Sequence, residues 1–253
     1  MEVVIRVRLA EIMGVALLAC FLVSLAGGAR SVTVTTKRRL PIYGVKTEEK
    51  VVAFSFDAAW GADKTEQILA TLREHGVRTT FFLVTFWVRK YPEMTKRIAD
   101  EGHEIGLHSS THPDMKHLPP DRIREELREN IRAIKEITGK DPKLFRPPFG
   151  SYSDRLIQIA EDEMGLLTIQ WSLDSLDWKK VTRQDIVSRI LNSIEPGDIV
   201  LFHNNGEYTA DALGEILTEV KARGYRVVPI SEILYSPPYY IDHQGKQVKI
   251  EPQ

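Results

Sequence analysis

From residue 51 onward, short runs of β-branched and aromatic residues alternate with longer stretches whose apolar positions recur every three or four residues. The short runs predict strands over 51–56, 79–84, 103–108, 144–149, 166–171, 198–203 and 225–230. Longer stretches between them predict helices over 64–75, 121–138 and 209–223, which stop at Gly76, Gly139 and Gly224; Pro119 and Pro120 open the second. Strands that alternate with helices must run parallel to keep their connections short, so the expected fold is α/β, a distorted (β/α)7 barrel with parallel strands.

The flanks follow other rules. Arg6 and Arg8 precede an apolar run over 12–26 that closes in Gly27, Gly28 and Ala29, the pattern of a secretory leader that is either cleaved or kept as an anchor. Residues 1–30 are therefore expected to be a signal peptide or signal-anchor. Residues 31–50 lack periodicity and suit a linker or stalk, or an added edge strand. The domain is expected over 51–235, and 236–253 is a C-terminal tail without an assignable pattern. Such a leader places the domain outside the cytoplasm, membrane-anchored or secreted, with the membrane as a partner through the N-terminal segment alone.

Composition narrows this little further. The 253 residues hold 34 basic and 35 acidic side chains, a net charge of −1, so no global field draws the chain to nucleic acid. One full-sized, monomeric globular domain is expected. Cys20, the only cysteine, lies inside the apolar run, so the domain can form no internal disulfide.

Chemistry concentrates at the strand ends. In a parallel barrel the reactive groups sit at the C-terminal ends of the strands. Asp57 follows the first predicted strand, His108 ends the third, Arg146 lies in the fourth, Asp174 and Asp177 follow the fifth, and His203 ends the sixth. A carboxylate at 57, after an apolar strand, is costly unless paired, and Arg146 is its natural partner, whether as a structural ion pair or as part of a reactive site. His108 and His112, four apart after a strand, are a fragment of a metal site or capping residues. The remaining histidines, 75, 103, 117 and 243, are expected to be surface, packing or capping groups.

Five segments together resemble the polysaccharide deacetylases, carbohydrate esterase family 4 or the NodB-homology domain. They are Ser55-Phe56-Asp57-Ala58-Ala59-Trp60-Gly61, His108-Ser109-Ser110-Thr111-His112, Arg146-Pro147-Pro148-Phe149-Gly150, Asp174-Ser175-Leu176-Asp177-Trp178 and Leu201-Phe202-His203, within 51–234. The resemblance implies that Asp57 is a catalytic base, His203 an acid, Arg146 the partner of Asp57 and Asp177 the partner of His203. It implies that His108 and His112 hold a divalent metal, Zn first and Co or Ni as alternatives. Phe149, Tyr152, Trp178 and Leu201 would bind substrate, and a backbone amide near Phe149 or Tyr152 would assist an oxyanion. The family pattern has a second aspartate, a metal ligand, where this chain has Ala58, which leaves the family's metal triad incomplete. The Ala-Ala-Trp variant is similar to the sporulation-associated, PdaB-like branch, which implies a cell envelope or spore setting. Three readings stay open: removal of N-acetyl groups from a peptidoglycan or chitin-like glycan, glycan binding without turnover, and hydrolysis of a small amide or imide.

Overall fold

The computed structural model describes residues 38–250. The leader expected over 1–30 lies outside the described residues, as do 31–37 of the linker and the last three residues. Among the described residues no helix is long and apolar enough to cross a membrane.

The strands in chain order are β1 (Gly44–Val45), β2 (Val51–Ala58), β3 (Thr80–Leu83), β4 (Glu104–Leu107), β5 (Leu144–Phe145), β6 (Leu167–Thr168), β7 (Leu173–Asp174), β8 (Ile199–His203), β9 (Arg226–Val228), β10 (Tyr239–Ile241) and β11 (Lys246–Lys249). The main sheet runs β6-β5-β4-β3-β2-β8-β7, and β9 pairs with the first residues of β2. Every pairing in it is parallel, and the sheet curls into the distorted barrel expected from the alternating pattern.

Side chains of a strand alternate between faces, and β2 places two different layers on them. Phe54 and Phe56 face the helices. Phe56 stacks on Phe81 and Phe202, with ring centroids 5.0 and 5.4 Å away, in the larger apolar cluster. Ser55 and Asp57 belong to the other face and meet Arg146 inside the barrel. A smaller apolar cluster, with Ala53, Phe82, Ile169 and Ile199, fills the interior beneath them. Each fully buried aromatic contributes roughly 1.5–3 kcal/mol of transfer free energy, so the outer layer carries most of the apolar stabilisation.

Helices Thr65–Glu74, Pro120–Thr138 and Thr209–Ala222 lie where the pattern predicts them. Gly139 takes φ 68° at the end of the second, a left-handed turn that a side chain would oppose. Helix Arg183–Ser193 was not expected from periodicity; its start is a reciprocal cap in which the Thr182 hydroxyl accepts from the Asp185 N–H and the Asp185 carboxylate accepts from the Thr182 N–H.

The flanks do more than the sequence assigned to them. The second half of the segment read as a linker, a stalk or an added edge strand is folded into the domain: Ile42 and Val45 are buried, Ile42 bridges Ile169 beside β6, and Gly44 bridges Asp198 before β8. This short piece therefore covers the seam between the two ends of the sheet path. The tail is ordered too, since β10 and β11 form a hairpin whose second strand pairs with β1. Pairings of two to four residues are too short to leave a readable alternation in the sequence.

Candidate active site

The C-terminal ends of the strands converge on a cleft of about 720 Å³. Asp57, His108, His112, Phe149, Asp177, Trp178, Leu201 and His203 all lie on its wall. Asp57 and His203 are register partners on the adjacent strands β2 and β8, so the sheet itself sets them side by side.

Asp57 is 6 % exposed and Arg146 is fully buried beneath it. One guanidinium nitrogen of Arg146 donates to Asp57 Oδ1 at 2.7 Å and to Ser55 Oγ at 2.9 Å, and the other donates to the Gln170 carbonyl at 2.9 Å. The guanidinium lies 4.1 Å from the centre of the Phe82 ring, so it is clamped by packing as well as by charge. Burial pushes the Asp57 carboxyl upward, but the positive charge of Arg146, with a smaller contribution from His203, outweighs it and holds the pKa below its ordinary value. Asp57 is a carboxylate in the cleft, with Oδ1 occupied by Arg146.

His203 is set in the opposite direction. Its Nδ1 lies 2.7 Å from Asp177 Oδ1, and its backbone N–H donates to Asp177 Oδ2 at 2.8 Å. The Thr209 hydroxyl donates to the same Oδ2 at 2.6 Å, which fixes the buried carboxylate from a third side. Burial lowers the pKa of His203, but its bond to Asp177 and the negative charges of Asp177 and Asp57 prevail and raise it. With Nδ1–H held by Asp177, Nε2 is the nitrogen left to carry a proton into the cleft.

The imidazole pair is held as neutral base. His108 Nδ1 donates to the Arg146 carbonyl at 2.7 Å, which leaves Nε2 as the lone-pair nitrogen, 3.5 Å from Asp57 Oδ2. Its backbone N–H donates to Asn130 Oδ1 at 2.9 Å. Burial lowers the pKa of His108, and burial is the largest cause that lowers that of His112 to about 4. The two rings meet edge to face with centroids 5.0 Å apart.

Neutral imidazoles, that of His108 with its tautomer set by the Arg146 carbonyl, fit a divalent cation as two of its ligands. They do not complete a shell, because among the described residues no cluster of three His, Cys, Asp or Glu groups is placed to hold a metal. Ala58 is buried in the outer apolar cluster, and no carboxylate stands there to serve as a third donor.

Three exposed aromatics rim the cleft: Phe149, Trp178 and Trp60, at 67, 57 and 55 % exposure. Phe149 and Trp60 lie 4.6 and 4.9 Å from the His112 ring. Leu201 is buried at the base. Tyr152, expected against substrate, is elsewhere: it is half-buried against the outer core, and its hydroxyl is 3.4 Å from that of Tyr43. The chain turns away from the cleft after the tight turn Pro148–Gly150 and enters helix Asp154–Gln158. Trp60, which stands in the first motif without an assigned role, and Asn130 and Thr209, which stand in none, are the further contributors. Trp60 carried a signal, a large aromatic directly after a strand end, whereas Asn130 and Thr209 act from helices far along the chain.

The chain has relatives among known proteins. The profile of the family described as Polysaccharide deacetylase matches residues 44–167. The uncharacterized protein YlxY of Bacillus subtilis is 38% identical over 195 residues, 77% of this chain and 60% of that protein. A peptidoglycan-N-acetylglucosamine deacetylase of Bacillus cereus is 34% identical over 195 residues, 75% of this chain and 91% of that protein. Among solved structures, BA3943 of Bacillus anthracis, described as a CE4 family pseudoenzyme, superposes with a TM-score of 0.74 at 37% identity over 76% of this chain and 68% of that one. A mutant of BA3943 is described as having restored enzymatic activity. The chain spans 60% of the length of YlxY, so these likenesses concern the domain. Domain, motif order and cleft agree with one another, and the chain belongs to the polysaccharide deacetylase family.

Proposed function

We propose that the domain removes N-acetyl groups from a cell-wall glycan, of the peptidoglycan or chitin-like kind, outside the cytoplasm. The observation that carries this reading is the placement of Asp57 and His203 side by side on β2 and β8, Asp57 held by Arg146 and His203 held by Asp177. A base and an acid of this kind, side by side, are what amide hydrolysis needs. The relatives named as peptidoglycan deacetylases, and the aromatic rim that offers flat faces to sugar rings, support a glycan over a small amide.

Asp57 Oδ2, the oxygen not engaged by Arg146, accepts a proton from the attacking water as its oxygen bonds to the acetyl carbon. His203 gives its Nε2 proton to the amide nitrogen, the C–N bond breaks, and the products are acetate and a free amine on the sugar. A divalent cation held by His108 and His112, zinc first, with cobalt or nickel as alternatives, would polarise the acetyl oxygen and make water easier to deprotonate. Phe149, Trp178 and Leu201 line the pocket for the acetyl group and sugar. We place the domain in the cell envelope, tethered through its N-terminal segment or secreted, and acting as a monomer; the Ala-Ala-Trp variant supports a sporulation setting.

A second reading, glycan binding without turnover, is favoured by Ala58 and by the likeness to BA3943. Acetate release from a panel of N-acetylated glycans, with added zinc, cobalt or nickel and with His203→Ala alongside, separates the two. Release that disappears in His203→Ala supports the enzyme. Glycan binding with no release under any ion supports the second reading and overturns the first.

A further inference from the structure

The segment that carries His112 is held from behind by a side chain that lies in none of the five motifs. Ser109 and His112 adopt φ values of 68° and 57°, a left-handed backbone that residues with a Cβ avoid. Something outside the segment must hold it there. Helix Pro120–Thr138 presents a buried stripe of Ile123, Leu127 and Ile134, interrupted by Glu126, 2 % exposed, and Asn130. Glu126 Oε2 accepts from the backbone N–H groups of Ser110 and Thr111, each at 2.8 Å, and Oε1 accepts from the Thr111 hydroxyl at 2.7 Å. Arg122, one turn earlier, lies 3.6 Å from Oε1 and offsets the buried charge. Within the segment, the His112 N–H donates to Ser109 Oγ at 3.0 Å and closes the turn.

Two successive N–H groups turned toward one oxygen form a small anion-binding concavity, filled here by a carboxylate from the protein itself. Such an arrangement fixes the direction in which the next side chain leaves the backbone, and that side chain is His112. We propose that Glu126 is a positioning residue for His112, whose carboxylate locks the 109–112 turn and so aims the imidazole into the cleft beside His108. Asn130, on the next turn of the same helix, holds the backbone of His108, and one helix thereby sets both rings. The inference rests on the role proposed for His112 and adds the residue through which that role is maintained.

The test uses the full chain without substrate, so it is independent of acetate release. His112 is ringed by Trp60, Phe149 and His108, so its imidazole resonances report its place among them through ring-current shifts. Glu126→Leu fills the space but accepts no hydrogen bond; Glu126→Gln keeps an acceptor for both N–H groups. The expected result is that Glu126→Leu displaces the His112 resonances and weakens zinc binding by about 10-fold or more, while Glu126→Gln retains most of both and His203 resonances do not move. If Glu126→Leu fails to fold, Thr111→Val, which removes only the 2.7 Å bond, is expected to displace the His112 resonances in the same direction by less. Unchanged His112 resonances in the folded variant, or equal displacement by Leu and Gln, overturn the proposal. Absent acetate release in the native protein would count against the proposed function and leave this result intact.

Discussion

The two halves of the cleft are built to different standards. On the β2–β8 side, each reactive group has a buried partner of opposite charge: Arg146 is fully enclosed beneath Asp57, and Asp177 accepts from the His203 ring, the His203 N–H and Thr209. On the His108–His112 side no charged partner among the described residues meets the rings from beneath: Nδ1 of His108 meets a backbone carbonyl, Glu126 and Asn130 hold the backbone of the segment, two of its residues carry left-handed φ, and Ala58 offers no donor. Charge pairs buried in this way fix protonation states and tolerate no loss of a partner. The histidine side offers two nitrogen donors, and a metal held there would need further donors to complete its shell. The groups proposed to move protons are thus each held by a buried charge partner, while among the described residues the pair proposed to hold a metal has no third donor.

The largest expected effect comes from breaking the proton-transfer half. Asp57→Asn or His203→Ala is expected to reduce acetate release by about 10²–10⁴-fold with the fold intact; rates equal to the native protein would remove the residue from the chemistry. Next is the support beneath it. Arg146→Met leaves Asp57 buried and uncompensated, and urea unfolding is expected to show a loss of about 3–5 kcal/mol. A loss within error would mean that the pair is not coupled.

A smaller effect separates the histidines of the cleft from one packed in the core. His103 accepts from the Thr79 N–H through Nδ1 at 3.2 Å and lies edge-on to Phe81, and burial lowers its pKa to about 4. Below the ordinary value of 6.5 the unfolded chain takes up a proton that the native state refuses, so stability is full above pH 6.5 and lost as pH falls toward 4. For this one group the loss between pH 6.5 and 5 is about 2 kcal/mol. His103→Gln is expected to shallow the acid limb of unfolding free energy against pH; an unaltered limb would contradict the buried neutral state. Least in size, Ala58→Asp sharpens the comparison itself. It is expected to tighten zinc binding by about tenfold, and no change in a calorimetric titration would mean that a carboxylate at 58 stays with the outer core.

The division between what the sequence revealed and what it hid follows the same physics. Strands β2 and β8 were readable because four apolar residues in a row, at 51–54 and at 199–202, lead up to Asp57 and His203. Gly139 marked a helix end because a left-handed turn needs it. β10, β11 and the seam-covering piece at 42–45 were not readable, since two to four paired residues hold no periodicity. In the site, groups at strand ends were found by position alone. Glu126 and Asn130 were missed although they interrupt an apolar helical stripe at an i, i+4 spacing, a signal of buried polar groups with partners elsewhere. Tyr152 was misplaced because its closeness to Phe149 in sequence does not survive the turn between them.

At the centre stands the claim that Asp177 keeps a proton on His203 beside an ionised Asp57. Titration of the His203 ring resonances by NMR, in the native protein and in Asp177→Asn, tests it without substrate or metal. Native His203 is expected to titrate above 6.5, the ordinary histidine value, and the variant to titrate at lower pH than the native protein. A native midpoint below 6.5, or one that Asp177→Asn leaves in place, would contradict the account.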